Sequence, residues 1–380
     1  MKDIKKDPFE EYIRQTEPSK YELGYAWYTA IGLQAVDGLE TSEYLKKTAK
    51  ENIEGKITLD EAGRLIESYY EESGEKNEED TKEADIVSTR IANILSENAF
   101  TFSVPQYLNI HKRLFVGIYS HAGKIRDYNI SKKEWVLDGA SVHYGNALDL
   151  RDMLEYDIKT EKDYEYPLDS ITTIIPHLAK FVSGLWQIHA FGEGNTRTTA
   201  VFLIKYLRTM GFDVTNNIFA ENAWYFRNSL VRANYNDYTK GIRETTEYLE
   251  LFLRNLLLGE SNELRNRYIH VRWQKQDICG SKPDIEGQKR DIGDSKPDIE
   301  ELKQRIQRHE QFSLKTKQHI LDVFGKFEYD KFFGRVEIME VLSLSAASSS
   351  ELIKKMLGAK LIYPIKGKGK GKYLFRSNKR

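Results

Sequence analysis

Cysteine is almost absent: Cys279 is the only one in 380 residues. A disulfide framework within the chain is therefore excluded, which fits a reducing compartment. Proline is scarce too, at 8 residues, so helix-breaking positions are few. Charge of one sign is not in excess. The formal net charge is −1, so no overall field draws the protein to nucleic acid or membrane, and any such contact must come from a local patch. No uncharged apolar run approaches the roughly 18 residues of a membrane helix. The start, "MKDIKKDPFEEYIRQTEPSKYELGYAW", lacks the apolar core of about 7–15 residues that a signal peptide needs. The expectation is a cytoplasmic chain with no signal peptide and no membrane partner.

What is present is an ordinary globular composition in a chain too long for one core, which predicts two or three domains. Residues 20 to 72 read as a small helical unit. "YELGYAWYTAIGLQAV" has apolar residues at helical spacing and ends at Asp37-Gly38. Thr41 or Ser42 can cap the next helix, and Thr58 caps a third with Leu59, Ala62, Leu65 and Ile66 on one face. Residues 73 to 84 are charged and glycine-broken, as a linker or solvated turn would be. From 85 to 260 the apolar periodicity is mostly helical. One segment departs: Trp135, Val136, Val142 and Tyr144 surround Asp138-Gly139, a hairpin signal.

Residues 277 to 300 hold a near-duplicate, "DICGSKPDIEGQKR" then "DIGDSKPDIEELKQ". Two polar copies are too few for a solenoid and read as an expanded linker. Residues 310 to 380 then give helical patterns followed by a basic hairpin, the winged-helix order. The fold class expected is mainly α, with the β-hairpin in the central domain and an α+β C-terminal domain. The boundaries are a helical regulatory domain over 1–84, a catalytic domain over 85–272, a repeat-bearing linker over 273–309 and the last domain over 310–380.

The chemistry concentrates in "HAFGEGNTRTTAVFLIKYLR", residues 189 to 208. Gly192 and Gly194 relax the backbone at a helix mouth. The unpaired N–H groups of that helix form an anion site, helped by its dipole. Arg197 can clamp a phosphate in bidentate fashion. Glu193 beside a phosphate calls for a cation between them, and Mg²⁺ bridges such oxygens. His189 at the opposite lip can take a proton from a hydroxyl. Taken alone, a histidine before a helix is more often a cap or a satisfied core residue, and a glycine-rich turn is weak evidence.

The six specified positions His189, Phe191, Glu193, Gly194, Asn195 and Arg197 match the signature HxFx(D/E)GNxR, and here the chain resembles the Fic (Fic/DOC) family over roughly residues 85 to 260. The resemblance implies transfer of AMP from ATP, with Mg²⁺, onto a hydroxyl side chain of a target protein or of the chain itself. It implies that His189 is the general base and Glu193 the metal ligand. Gly192, Gly194, Asn195, Thr196, Arg197 and Thr198 would cradle phosphate, and the segment with Trp135, Val136, Ser141, Val142 and His143 would be a flap that docks the target by strand addition. Tyr225 and Phe226 would line the adenine side, or simply pack their helix.

Two positions depart from the family pattern. Thr196 stands where many members have Gly, narrowing the nest. Ala200 stands where a second arginine usually handles the γ-phosphate and pairs with an inhibitory glutamate. Two candidate inhibitors remain. Asp37-Gly38 lies in an antitoxin-like helical unit, with Leu33 where Ser or Thr is usual. Glu97-Asn98 lies just before the main body. With Ala200 opposite, the usual Glu–Arg pair is not expected, and inhibition is expected to be weakened or altered.

In the C-terminal domain, Lys366, Lys368 and Lys370 alternate with glycine at the hairpin tip, and Lys354 and Lys355 sit on the preceding helix. These are candidate DNA contacts. The alternatives to adenylyl transfer are another phosphate-containing donor, removal of AMP, or a nucleotide-responsive winged-helix DNA-binding regulator.

Overall fold

The computed structural model describes residues 18–73, 79–167, 171–214, 217–273, 297–365 and 371–377. The duplicated segment, apart from its last four residues, and Lys366, Lys368 and Lys370 lie outside the described residues. Among those described there are sixteen helices and one three-stranded sheet. No described helix is long and apolar enough to cross a membrane. The chain divides into two compact units, the first drawn from residues up to 165 with 175–209 and 213–274, the second from 166–174, 210–212 and 275–380.

In the first unit, α1 (Pro18–Gly32) runs into a 3-10 turn, Leu33–Asp37, and stops at Gly38, whose φ of 73° a Cβ-bearing residue rarely adopts. Helix α2 (Glu43–Ile53) starts at Ser42, whose hydroxyl accepts from the Leu45 N–H at 3.0 Å. Helix α3 (Leu59–Ser73) starts at a capping box: Glu61 N–H donates to Thr58 Oγ1, and Thr58 N–H donates back to the Glu61 carboxylate. Helix α4 (Glu79–Ser96) occupies half of the span expected to be linker. Its first turn is acidic, which suits a helix N-terminus, and its inner face carries Ile86, Val87, Ile91 and Leu95 into the core. The buried carboxylate of Asp85 on α4 receives hydrogen bonds from Ser42 and from Tyr70, binding three helices together. The N-terminal helices and the central domain therefore share one compact unit, with α1 packed along α4.

The rest of this unit comprises α5 (Val104–Phe115), α6 (Leu150–Lys162), α7 (Ile171–Ile188, which begins in the other unit), α8 (Asn195–Thr209), α9 (Ile218–Glu221), α10 (Ala223–Ala233), α11 (Glu247–Leu258) and α12 (Asn266–Ile269). Every residue of α8 from Asn195 to Leu207 is buried, so this helix is the axis on which the site is hung.

The expected β-hairpin around residue 138 is not a strand pair. Trp135–Leu137 form a 3-10 turn, and Asp138 and Gly139 take the positive φ that Asp-Gly signals. The turn closes through Glu134 N–H to Ala140 O and Gly139 N–H to Glu134 O. A ladder does not extend from it because Val136, Leu137 and Val142 all turn inward instead of alternating, and the Val136 carbonyl accepts from Val271 N–H at 2.9 Å.

In the second unit, α13 (Pro297–Gln307), α14 (Leu314–Phe327), α15 (Arg335–Leu342) and α16 (Ala346–Gly358) surround a core with Leu302, Ile306, Phe324, Ile338, Met356 and Phe375. Helix α13 begins inside the span expected to be linker, because Leu302 and Ile306 supply one buried stripe. Strands β1 (Phe333–Gly334), β2 (Ile362–Pro364) and β3 (Lys372–Phe375) pair antiparallel in the order β1-β3-β2.

Candidate active site

The signature loop sits between the end of α7 and the start of α8. The Asn195 side chain closes it, donating to Phe191 O at 2.7 Å and accepting from Phe191 N–H at 2.9 Å. Gly194 has φ 74°, and a Cβ there would meet the Phe115 ring at 2.4 Å, so both conformation and space require glycine. The N–H groups of Asn195, Thr196 and Arg197 open α8 without intrahelical acceptors, the arrangement by which a helix start can receive an anion.

Two further residues stiffen the loop, and no motif marked them. Buried Arg126 donates to His189 O at 2.8 Å and to Gly145 O at 2.6 Å, and its own N–H donates to Ala190 O. His111 on α5 stacks on Phe191 with centroids 3.7 Å apart. Its Nδ1 accepts from Gly123 N–H at 2.8 Å, so Nε2 carries the proton and donates to Glu193 O at 3.0 Å. Burial, first of all, pushes its pKa down to about 4.

His189 has φ 51°, an uncommon conformation for a side chain of this size, held by the loop around it. The residue is 4% exposed, and neither ring nitrogen has a hydrogen-bond partner. Burial, with Lys132 and Arg126 nearby, holds its pKa well below the ordinary value. The imidazole is therefore neutral near pH 7 and its lone pair is free. Glu193 is half-exposed and forms an ion pair with Lys132 at 2.8 Å. A carboxylate that already holds a cation suits a metal ligand. Among the described residues there is no group of three or more His, Cys, Asp or Glu side chains that could hold a metal ion.

Arg197 is the residue whose surroundings differ most from expectation. Its side chain is 1% exposed and enclosed by the N-terminal helices. Asp37 Oδ2 lies 2.7 Å from Nε as an ion contact without the alignment of a hydrogen bond. Gln34 Oε1 accepts from Nη1 at 3.0 Å, and Glu83 Oε1 accepts from Nη2 at 2.6 Å. Tyr119 OH is 3.2 Å from Nη2, and the guanidinium lies over the Phe115 ring. An acid–arginine pair does form despite Ala200, because the 3-10 turn carries Asp37 to the first arginine instead of the absent second one. Glu97 does not join this cluster. It pairs with Arg113 on α5.

Other expected site residues fall as follows. The Thr196 hydroxyl accepts from the Trp186 indole N–H at 3.0 Å. Thr198 Oγ1 is buried without a partner. Tyr225 and Phe226 are buried, and Phe226 packs with Phe219 and Phe252. Of the turn residues, Trp135 and His143 are exposed, Ser141 is half-buried, and Val136 and Val142 are anchors in the core. Lys354 is exposed, while Lys355 pairs with Glu351 at 3.2 Å. Glu83, Gln34 and Tyr119 carried no signal because their shared partner is distant in sequence.

One loop of this helical domain thus carries a buried histidine with no hydrogen bond on its ring, an acid paired with Lys132 and the open N–H groups at the start of α8. Residues 101–207 match the family model described as the Fic/DOC family. The chain therefore carries a Fic/DOC family domain over those residues.

Proposed function

We propose that this Fic domain is a protein adenylyltransferase that uses ATP with Mg²⁺ and acts on a hydroxyl of a target protein or of itself. The observation that carries the reading is His189, buried, neutral and without any hydrogen bond, beside the nest at the start of α8. A hydroxyl donated to that imidazole loses its proton to it as the oxygen bonds to the α-phosphorus. The bond from that phosphorus to the bridging oxygen breaks, and diphosphate leaves. The nest N–H groups receive the charge that develops on phosphate oxygens. Bound Mg²⁺, held by Glu193, would offset charge between the α- and β-phosphates. Lys132 must leave Glu193 first.

Arg197 supports a regulated version of the same activity. Two carboxylates, Asp37 and Glu83, surround one guanidinium and oppose an incoming phosphate. Nucleotide clamping by Arg197 then requires the N-terminal turn to withdraw.

The test is intact-mass analysis after incubation with ATP and Mg²⁺. The wild-type chain, or a co-incubated target, should gain one AMP unit, and His189→Ala should lose transfer by at least about 10²-fold. Equal labelling of wild type and His189→Ala would refute the reading. A nucleotide panel distinguishes other donors. In the second unit, the order α14, β1, α15, α16, β2, β3 that follows α13 is the winged-helix order, which supports a companion role in DNA contact. A salt-sensitive DNA shift that survives His189→Ala would support it.

A further inference from the structure

A general base is usually oriented by a hydrogen bond from a third group. His189 has none on either nitrogen, yet its ring is almost wholly buried. Two aromatic walls hold it instead. The Tyr144 ring centroid lies 4.1 Å from the imidazole at 37°, and Trp186 meets it edge-on at 5.3 Å.

Each wall has its own anchor. The Trp186 indole N–H donates to Thr196 Oγ1 in the first turn of α8. The Tyr144 hydroxyl donates to Glu134 Oε1 at 3.1 Å. The Glu134 side chain is 1% exposed, and Arg227 on α10 grips it at both oxygens, Nη1 to Oε2 at 2.7 Å and Nη2 to Oε1 at 3.1 Å. A buried carboxylate in this bidentate arrangement is held firmly, because losing either partner leaves a charge unpaired out of water. Glu134 is also the backbone hinge of the turn. Its N–H donates to Ala140 O, and its carbonyl accepts from Leu137 and Gly139.

We propose that Tyr144, anchored through Glu134 and Arg227, and Trp186, anchored through Thr196, are positioning residues for His189, and that the Tyr144 chain couples the placement of the base to the turn over residues 134–142. The proposal rests on the adenylyl-transfer reading for its kinetic consequence only. It accounts for Thr196: a glycine there would leave the indole N–H without its acceptor. It also assigns the turn a second task. A target segment seated on its exposed Trp135 acts on the same residue, Glu134, that steadies the base.

The experiment combines Tyr144→Ala, Tyr144→Phe and Thr196→Val with two readouts on the full chain. One is kcat and KM for ATP in AMP transfer. The other is the rate at which diethyl pyrocarbonate modifies His189, followed by peptide mapping. Tyr144→Ala should lower kcat by roughly 10²-fold, the cost of a misplaced reacting group, with KM for ATP changed less than about twofold. It should also speed modification of His189. Tyr144→Phe keeps the wall and loses its anchor, so it should fall between Tyr144→Ala and wild type, and Thr196→Val should behave similarly at the other wall. Unchanged kcat and unchanged His189 modification in folded Tyr144→Ala would overturn the clamp. Tyr144→Phe identical to wild type in both readouts would overturn the coupling. If Tyr144→Ala does not fold, the other two variants decide. If wild type transfers no AMP, the adenylyl reading fails, while the modification rates still decide the clamp.

Discussion

The two ends of the signature loop are equally buried and oppositely furnished. His189 has no hydrogen bond on its ring, whereas the Arg197 guanidinium touches Asp37, Gln34, Glu83 and Tyr119. A buried polar group without a partner is costly, and the surrounding structure tolerates one where chemistry needs a free lone pair. A buried arginine with two carboxylates has the reverse meaning: its capacity for a phosphate is already taken. On the adenylyl-transfer reading proposed above, the same loop holds a base that is ready and a clamp that is occupied. The middle of the loop, tied by His111, Arg126 and Asn195, keeps the two ends at a fixed separation.

The largest expected effect concerns that middle. His111 has its pKa pushed down to about 4 by burial, against about 6.5 when unfolded. The unfolded chain therefore binds the additional proton, so stability is full above pH 6.5 and is lost as pH falls toward 4. The loss is on the order of 3 kcal/mol. Buried His189 adds to it with the same sign. Urea denaturation at stepped pH measures this, and His111→Gln should flatten part of the slope. A stability independent of pH from 7 to 4.5 would show that the loop is not held as described.

Next in size is the occupied clamp. Asp37→Ala with Glu83→Ala should free Arg197 and raise nucleotide affinity by roughly tenfold or more, since hydrogen bonds to charged groups contribute about 1.5–3 kcal/mol. Isothermal titration with ATP and Mg²⁺ reads it. Glu97→Ala, which touches Arg113 instead, should leave that affinity unchanged. If the two sets of variants behave alike, the contrast between the loop's ends disappears.

The smallest effect belongs to Lys132. Its pair with Glu193 is partly exposed, so Lys132→Ala should change stability by less than about 1 kcal/mol. It should tighten Mg²⁺ binding modestly by removing the competing ammonium, which titration of nucleotide-bound protein with Mg²⁺ detects. Weaker Mg²⁺ binding in this variant would mean that Lys132 helps the site rather than occupying it.

Much of this protein is written locally. The caps at Ser42 and Thr58, the stop at Gly38, the positive-φ pair Asp138-Gly139 and the helical stripe of α8 follow from neighbours within a turn or two, so periodicity and turn chemistry reach them. The spacing of His189, Glu193, Asn195 and Arg197 is equally local. Even so, adjacency misled at the turn near residue 138. There Val136 and Val142 point into a core built by distant helices instead of alternating along a strand pair.

The sequence by itself determined a helical chain, a glycine-bearing signature loop opening on a histidine, and an alanine at position 200 where the family pattern has an arginine. Only the tertiary structure decided what those groups face. Asp37 and Glu83 reach Arg197 from far along the chain, and Arg227 reaches Glu134 in the same way. Such contacts depend on how helices pack, and packing is set by buried area and shape across the whole core. No spacing within one segment encodes a partner that arrives from another.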